Sequence, residues 1–224
     1  MKRQLLKRVG AFLCVLALVV PASAQTKQQE KIQKSTEILN EFKNMKESIP
    51  EELLQQAQGI VIIPSMINAG LGIGGKRGKG VAMVKNADGN WSDPLFVTLT
   101  GGSIGFQAGV QAVDLVLVFK NRSTLANIGQ RKFSLGGDAS VAAGPVGRNA
   151  TANTDTKLDA EVYSYSRSKG LFAGITLNGT VLDVDKEYNT AFYGKSVKAS
   201  SVLSTSSSTS QSSVKDLKES LTSF

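Results

Sequence analysis

The sequence contains no histidine, and its single cysteine, Cys14, lies within the first two dozen residues. The rest of the chain therefore has neither residue type. That excludes Ser–His and Cys–His nucleophile pairs, zinc sites of the ordinary ligand types, and haem or iron–sulfur ligation. It also excludes an internal disulfide, so stability must come from packing. Tryptophan occurs once and aromatics make up only 6% of residues, which leaves no stacking platform for nucleic acid. No apolar run approaches the ~20 residues needed to span a bilayer as a helix.

The longest such run, residues 9–20, follows Lys2, Arg3, Lys7 and Arg8 and precedes the small residues Pro21, Ala22, Ser23 and Ala24. This is the layout of a secretory signal, and it predicts cleavage after Ala24 and a periplasmic or secreted protein. An uncleaved anchor and lipidation at Cys14 are the weaker readings. The run is short for an anchor, and Cys14 sits inside it behind Phe12 and Leu13. The leader holds four cations and no acid, so without it the chain has 22 basic and 18 acidic residues. So mild an excess fits a soluble basic protein or attraction to an anionic surface.

Residues 27–49 read as an amphipathic helix, with Ile38, Phe42, Met45 and Ile49 spaced by four, three and four. Pro50 suits the first turn of a second helix over residues 51–58, ended by Gly59. From Ile60 the period becomes strand-like. Short strands are expected at residues 60–63, stopped by Pro64, and at 81–84, with a turn at 86–89 leading into 95–100. Further strands are expected at 114–119, 132–135, 159–165 and 171–177, and a short helix at 121–128. Tyr163 and Tyr165 fall on one strand face, Val162 and Ser164 on the other. Asn178-Gly179 predicts a hairpin joining 171–177 to 180–184. Residues 185–193 read as a helix that Gly194 can end. The glycines gather in residues 59–147, where they permit bulges and sharp curvature. The fold class is α+β: a mostly antiparallel, glycine-rich sheet curled into a barrel or sandwich, with helices at both ends. The expected organisation is a signal peptide at 1–24, a domain at 25–194, and a Ser/Thr-rich tail at 195–224. Val214, Leu217, Leu221 and Phe224 allow a short terminal helix in that tail. It needs a surface to form on, either the protein's own core, a partner or a membrane.

Gly70, Gly72 and Gly75 match G-x-G-x-x-G, and with Lys76 they nearly match a P-loop, but Arg77 stands where Ser or Thr would hold magnesium. Both motifs need a helix immediately afterwards, and the following residues read as strand, so no nucleotide is expected. Asp155, Asp159 and Glu161 are close in sequence. They read as solvated strand ends, with Asp138, Asp155 and Asp159 the only grouping worth testing as a carboxylate-dependent hydrolase. Cations cluster in the predicted loops, at Lys76, Arg77 and Lys79, at Arg131 and Lys132, at Arg148, and at Arg167 and Lys169. Such groups suit phosphate, with glycine-turn amides adding to the site. Scattered solubilising charge is the alternative.

Several segments, in order, strongly resemble the SYLF family, also called the Ysc84 actin-binding domain. They are AQGIVIIP (57–64), AGLGIGG (69–75), WSDP (91–94), GGSIGFQAG (101–109), DLVLVF (114–119), KFSLGGDASVAAGPVGR (132–148), YSYSRSKGLFAG (163–174) and AFYG (191–194). The resemblance spans about residues 34–194. It implies a lipid-binding module without enzymatic activity and without a cofactor or metal. Eukaryotic relatives are associated with phosphoinositide membranes and actin, and in them lipid contact is attributed partly to a basic amphipathic N-terminal segment. Here residues 27–46 carry five Lys and three Glu. An exported member looks bacterial, for which an anionic phospholipid is the natural counterpart. The candidate lipid-binding residues are Lys76, Arg77, Lys79, Arg148, Arg167 and Lys169, with apolar contact from Phe42 and Phe172. The competing reading is a structural or protein-interaction module of the cell envelope whose lipid affinity is incidental.

Overall fold

In a computed structural model of the chain, residues 26–45, 49–130, 132–144, 160–172, 175, 177–206 and 210–223 are described; at 72, 103–108 and 172 only the backbone is. Two strands of unusual length dominate, β1 (Gly59–Val84) and β2 (Leu95–Phe119). They pair antiparallel from Gly59↔Phe119 to Ala82↔Leu95. The connection turns at Asn86–Gly89, where the Gly89 amide donates to the Asn86 carbonyl at 2.9 Å and Gly89 takes φ 81°.

The segments expected as separate strands at 60–63 and 81–84 are the two ends of β1. Pro64 does not stop it. The register shifts between Ile63 and Met66, so the missing donor falls in a bulge. Ser65 adopts φ 52° there, its amide held by the Asp114 carboxylate at 2.8 Å.

The glycines of β1 make a sharp bend possible. A side chain on Gly74 would overlap Ala69 and Gly70; one on Gly78 would strike Ile63 and Met66; one on Gly80 would strike the Ile62 carbonyl. The near neighbours step backward along the chain as the glycines step forward. The ribbon is thus folded over itself, with its bend near residues 71–72 and one limb's backbone lying directly on the other.

Around this ribbon the strand order is β3 (Phe133–Leu135), β7 (Thr180–Val184), β2, β5 (Val162–Ser168), β4 (Val141–Ala143), with β1 on β2 and β6 (Leu171–Phe172) on β5. Among the strands named, only β4 and β5 pair in parallel, and the sheet curls nearly into a barrel. The turn at Asn178-Gly179 is present, with Gly179 at φ 76°. It does not join a hairpin with 171–177, however. The Gly179 amide donates to Leu135, β7 pairs with β3 and β2, and β6 pairs with β5. Lying between two neighbours satisfies both edges of β7 and buries Leu182 completely, which a two-stranded hairpin could not do.

Strand alternation sends side chains to two cores. Val61, Ile63, Val97, Leu99, Leu115, Leu117 and Leu182 belong to one, which α3 (Arg122–Ala126) and α5 (Ala199–Leu203) close with Leu125, Val202 and Leu203. Ile60, Ile62, Val116, Val118, Tyr163 and Tyr165 belong to the other. Helices α1 (Lys27–Asn44), α2 (Glu51–Gln56) and α6 (Ser212–Thr222) cover this second face. Helix α1 starts with a capping box between Thr26 and Gln29 and buries Ile32, Ile38, Leu39 and Phe42. Helix α6 buries Val214, Leu217 and Leu221 beside it, so the terminal helix has the protein's own core as its surface. Helix α4 (Lys186–Tyr193) is capped by Asp185 and ends at Gly194 in the left-handed region. Among the described residues no helix is long and apolar enough to cross a membrane.

Candidate functional site

The strand period decides where the expected cations point. Lys76, Gly78, Gly80 and Ala82 alternate on one side of β1, with Arg77, Lys79 and Val81 on the other. Lys76 is therefore turned inward and only 4% exposed, and burial pushes its ammonium below the ordinary lysine value. Arg77, one residue on, is exposed.

Lys79 is held on the helix-covered side. Its ammonium lies 2.7 Å from the Asp185 carboxylate and 3.9 Å from the centre of the Tyr188 ring. Burial alone would raise the Asp185 carboxyl. Hydrogen bonds from Lys79, the Tyr188 amide and the Thr98 hydroxyl outweigh it and hold the group below the usual carboxylate range.

Arg167 is engaged as well. Its guanidinium pairs with Asp114 at 3.1 Å and with Glu41 of α1, and stacks 5.6 Å from the Phe42 ring. It fastens the N-terminal helix to the sheet. Lys169 stands exposed in the tight β5–β6 turn at φ 51°. Phe172 pairs through its backbone with Arg167, and its side chain lies outside what is described. Arg148, Arg131, Asp155 and Asp159 also lie outside the described residues. Asp138, the remaining member of the carboxylate grouping, accepts from the Ser134 amide at 2.7 Å. Among the described residues no cluster of three or more His, Cys, Asp or Glu could hold a metal.

Two surface features stand out. The first is a groove of about 790 Å³ between the Arg77–Lys79 stretch, β2, β7 and the start of α4. It presents Arg77, Lys79, Lys132 and Lys186 together with Asp183, Asp185 and Glu187. Cations and acids alternate there, so it suits a ligand with both signs of charge better than a bare anion.

The second is the bend of the ribbon. Leu71, Ile73 and Val110 are 81, 82 and 75% exposed, and Ile67 and Leu171 lie at its foot, also exposed. Sequence reading passed over these residues in favour of the cations. The signal was present in G-L-G-I-G, because period-two alternation puts Leu71 and Ile73 on one side with only glycines between them. Nothing local said that this side would face solvent.

Residues 100–224 match the profile of a family described as Ysc84, Las17-binding protein actin regulator. The chain is 34% identical over 190 residues to SH3 domain-containing YSC84-like protein 1 of Bos taurus, covering 82% of this chain and 55% of the relative. It is 33% identical over 184 residues to LAS seventeen-binding protein 3 of Saccharomyces cerevisiae, covering 81% of this chain and 40% of the relative. Against Protein YSC84 of the same yeast it is 33% identical over 184 residues, 81% of this chain and 39% of the relative. The chain thus spans about half the length of these curated relatives, or less. The family profile covers more than half of this sequence and runs through the Ser/Thr-rich stretch to its last residue, so the chain belongs to the Ysc84 (SYLF) family, a family of binding and regulatory proteins.

Proposed function

We propose that the protein is a non-catalytic binding module of the cell envelope, exported through its N-terminal signal, that attaches to anionic phospholipid headgroups. The observation that carries this reading is the one-sided charge of the ribbon near its bend. Residues 64–77 and 100–113 include Lys76 and Arg77 and not one Asp or Glu. The next carboxylate along β2, Asp114, is taken up by Arg167 and the Ser65 amide. Exposed Arg77, at the end of the mixed-sign groove, and exposed Lys169 then flank a stretch of ribbon that carries no acid of its own.

Magnitudes limit the role of charge. Each cation close to an anionic surface contributes about 1 kcal/mol. Lys79 and Arg167 already serve carboxylates, and Lys76 is turned inward. Arg77 and Lys169 together supply about 2 kcal/mol, enough to orient and recruit the protein but too little to hold it alone.

The test is sedimentation with vesicles of neutral and of anionic phospholipid at two salt concentrations. Binding to anionic vesicles only, weakened by salt, is expected. Arg77→Glu with Lys169→Glu should abolish it while the melting temperature stays the same. Equal binding to both vesicle types, or to neither, removes the reading.

A second reading, attachment to an envelope protein, is favoured by the mixed-sign groove and by the protein partner in the family description. A pull-down that depends on Lys132 and Asp183, with no vesicle binding, would establish it instead.

A further inference from the structure

We infer that the bend of the β1–β2 ribbon is an insertion tip that enters the headgroup–acyl boundary of an anionic bilayer, with Leu71, Ile73 and Val110 as the inserted side chains. This rests on the lipid reading above and assigns it a depth and a place.

The first argument is concentration. The described large hydrophobics left exposed are Ile67, Leu71, Ile73, Val110 and Leu171. Four lie on the ribbon around its bend. The fifth is the register partner of Ser168, whose hydroxyl donates to the Ala112 carbonyl at 3.0 Å, and Ala112 is the register partner of Ile67. Scattered aliphatic residues need no explanation on a soluble surface. A contiguous group on a projecting element does, especially where two cores have taken up most of the other described large apolar side chains.

The second argument is backbone chemistry. A loop cannot enter a medium without water, because its amides and carbonyls would lose their partners. The bend is instead a paired ribbon, with Ala69↔Val110, Leu71↔Ala108 and Ile73↔Ile104 in register. The outward edges of its two strands, and residues 106 and 107 in the register shift between Leu71↔Ala108 and Gly72↔Gly105, still need water, and that confines the tip to the interface.

The third is charge. The tip has no carboxylate to desolvate, and Arg77 and Lys169 stand behind it, one on the returning limb and one in the turn at the foot. Arg77 lies four residues from Ile73, roughly 13 Å along an extended strand, which suits a cation at headgroup level above an apolar point. A protein partner would require none of this exclusion of acid.

The experiment uses the full chain carrying Cys14→Ser, with a solvent-sensitive fluorophore on Ile73→Cys, mixed with anionic vesicles that contain bromine-labelled phospholipid. A blue shift and quenching at position 73 are expected. Leu71→Ser with Ile73→Ser should lower vesicle partitioning by roughly tenfold or more, with an unchanged melting temperature because neither side chain is packed. If the protein sediments with vesicles while the label at 73 stays in water, or the double substitution binds equally well, the tip is overturned and headgroup attachment stands. If the parent protein does not bind vesicles, both fall. If the substitutions instead dissociate a dimer and leave vesicle binding intact, the surface joins two copies and the tip is overturned.

Discussion

Asp185 does three jobs with one carboxylate. One oxygen caps α4 by accepting the Tyr188 amide at 3.0 Å, and the other accepts from Lys79 and Thr98. These contacts fasten α4 to the sheet at the rim of the mixed-charge groove. The folded carboxyl is held below its ordinary value, so its contribution to stability is complete above the unfolded value, near 3.9. It is lost as pH falls through the lower folded value. Melting temperature should therefore drop on acidification from about pH 5 to pH 3, and Asp185→Asn, which can still cap the helix, should show a shallower drop. Equal slopes in the two proteins would mean that other carboxylates carry the acid response. The neighbouring lysine shows why site residues are hard to read from a string of letters. Lys76, Arg77 and Lys79 look like one basic loop, yet the strand period turns Lys76 inward, and Asp185, more than a hundred residues away, claims Lys79.

At the scale of elements, the bent ribbon depends on glycine at particular places. Gly80 lies against the Ile62 carbonyl of the other limb, whereas a side chain on Gly102 would meet nothing within 4 Å, and Gly102 needs no left-handed backbone. Gly80→Ala should cost several kcal/mol or prevent folding, as severe overpacking does. Gly102→Ala should leave the melting temperature within a degree or two of the parent. The glycine richness was plain in the sequence, and it correctly announced curvature. It could not tell which glycines sit at crossing points. Pro64 misled for a related reason. A proline stops a ladder only where its missing donor is needed, and the bulge at Ile63–Met66 removes that need. Elements whose signals are local came through better. Asp185 and Gly194 mark both ends of α4, and Tyr163 and Tyr165 share a core face opposite Val162. The pairing of β7 with β3 and β2 is set by contacts between distant segments, which an Asn-Gly turn cannot encode.

At the scale of the whole molecule, the two terminal helices hold each other. Helix α6 lays Val214, Leu217 and Leu221 against the core that α1 also covers. Lys218 sends its ammonium to fully buried Asp93 at 2.7 Å, and Ser220 reaches Asn40 at 2.6 Å. The periodicity of both helices was legible; their mutual packing was not, because nothing in either segment names its partner. The amphipathic stripe of α1, the feature that the family resemblance associates with lipid, is buried. Ile32 and Phe42 are fully inaccessible, so α1 cannot meet a bilayer without leaving α6 and the sheet. Ending the chain at Gln211 should uncover that stripe. The expected result is a broad, low melting transition and strong binding of a hydrophobic dye, because three apolar side chains and the Asp93 counter-charge leave together. A sharp transition at the parent temperature would show α6 to be dispensable.

The meeting of these helices also sets a schedule for folding. Gln29 bonds Gln211 across 182 positions, and Asn40 bonds Ser220 across 180. Contacts that close nearly the entire chain into a loop form late, since the entropy of closure must be met before they return anything. A nascent polypeptide must therefore leave α1 without its cover until α6, at Ser212–Thr222, is free to fold. For that interval the polypeptide is a client for whatever binds uncovered apolar helices, and α1 is sealed into the fold only when α6 docks.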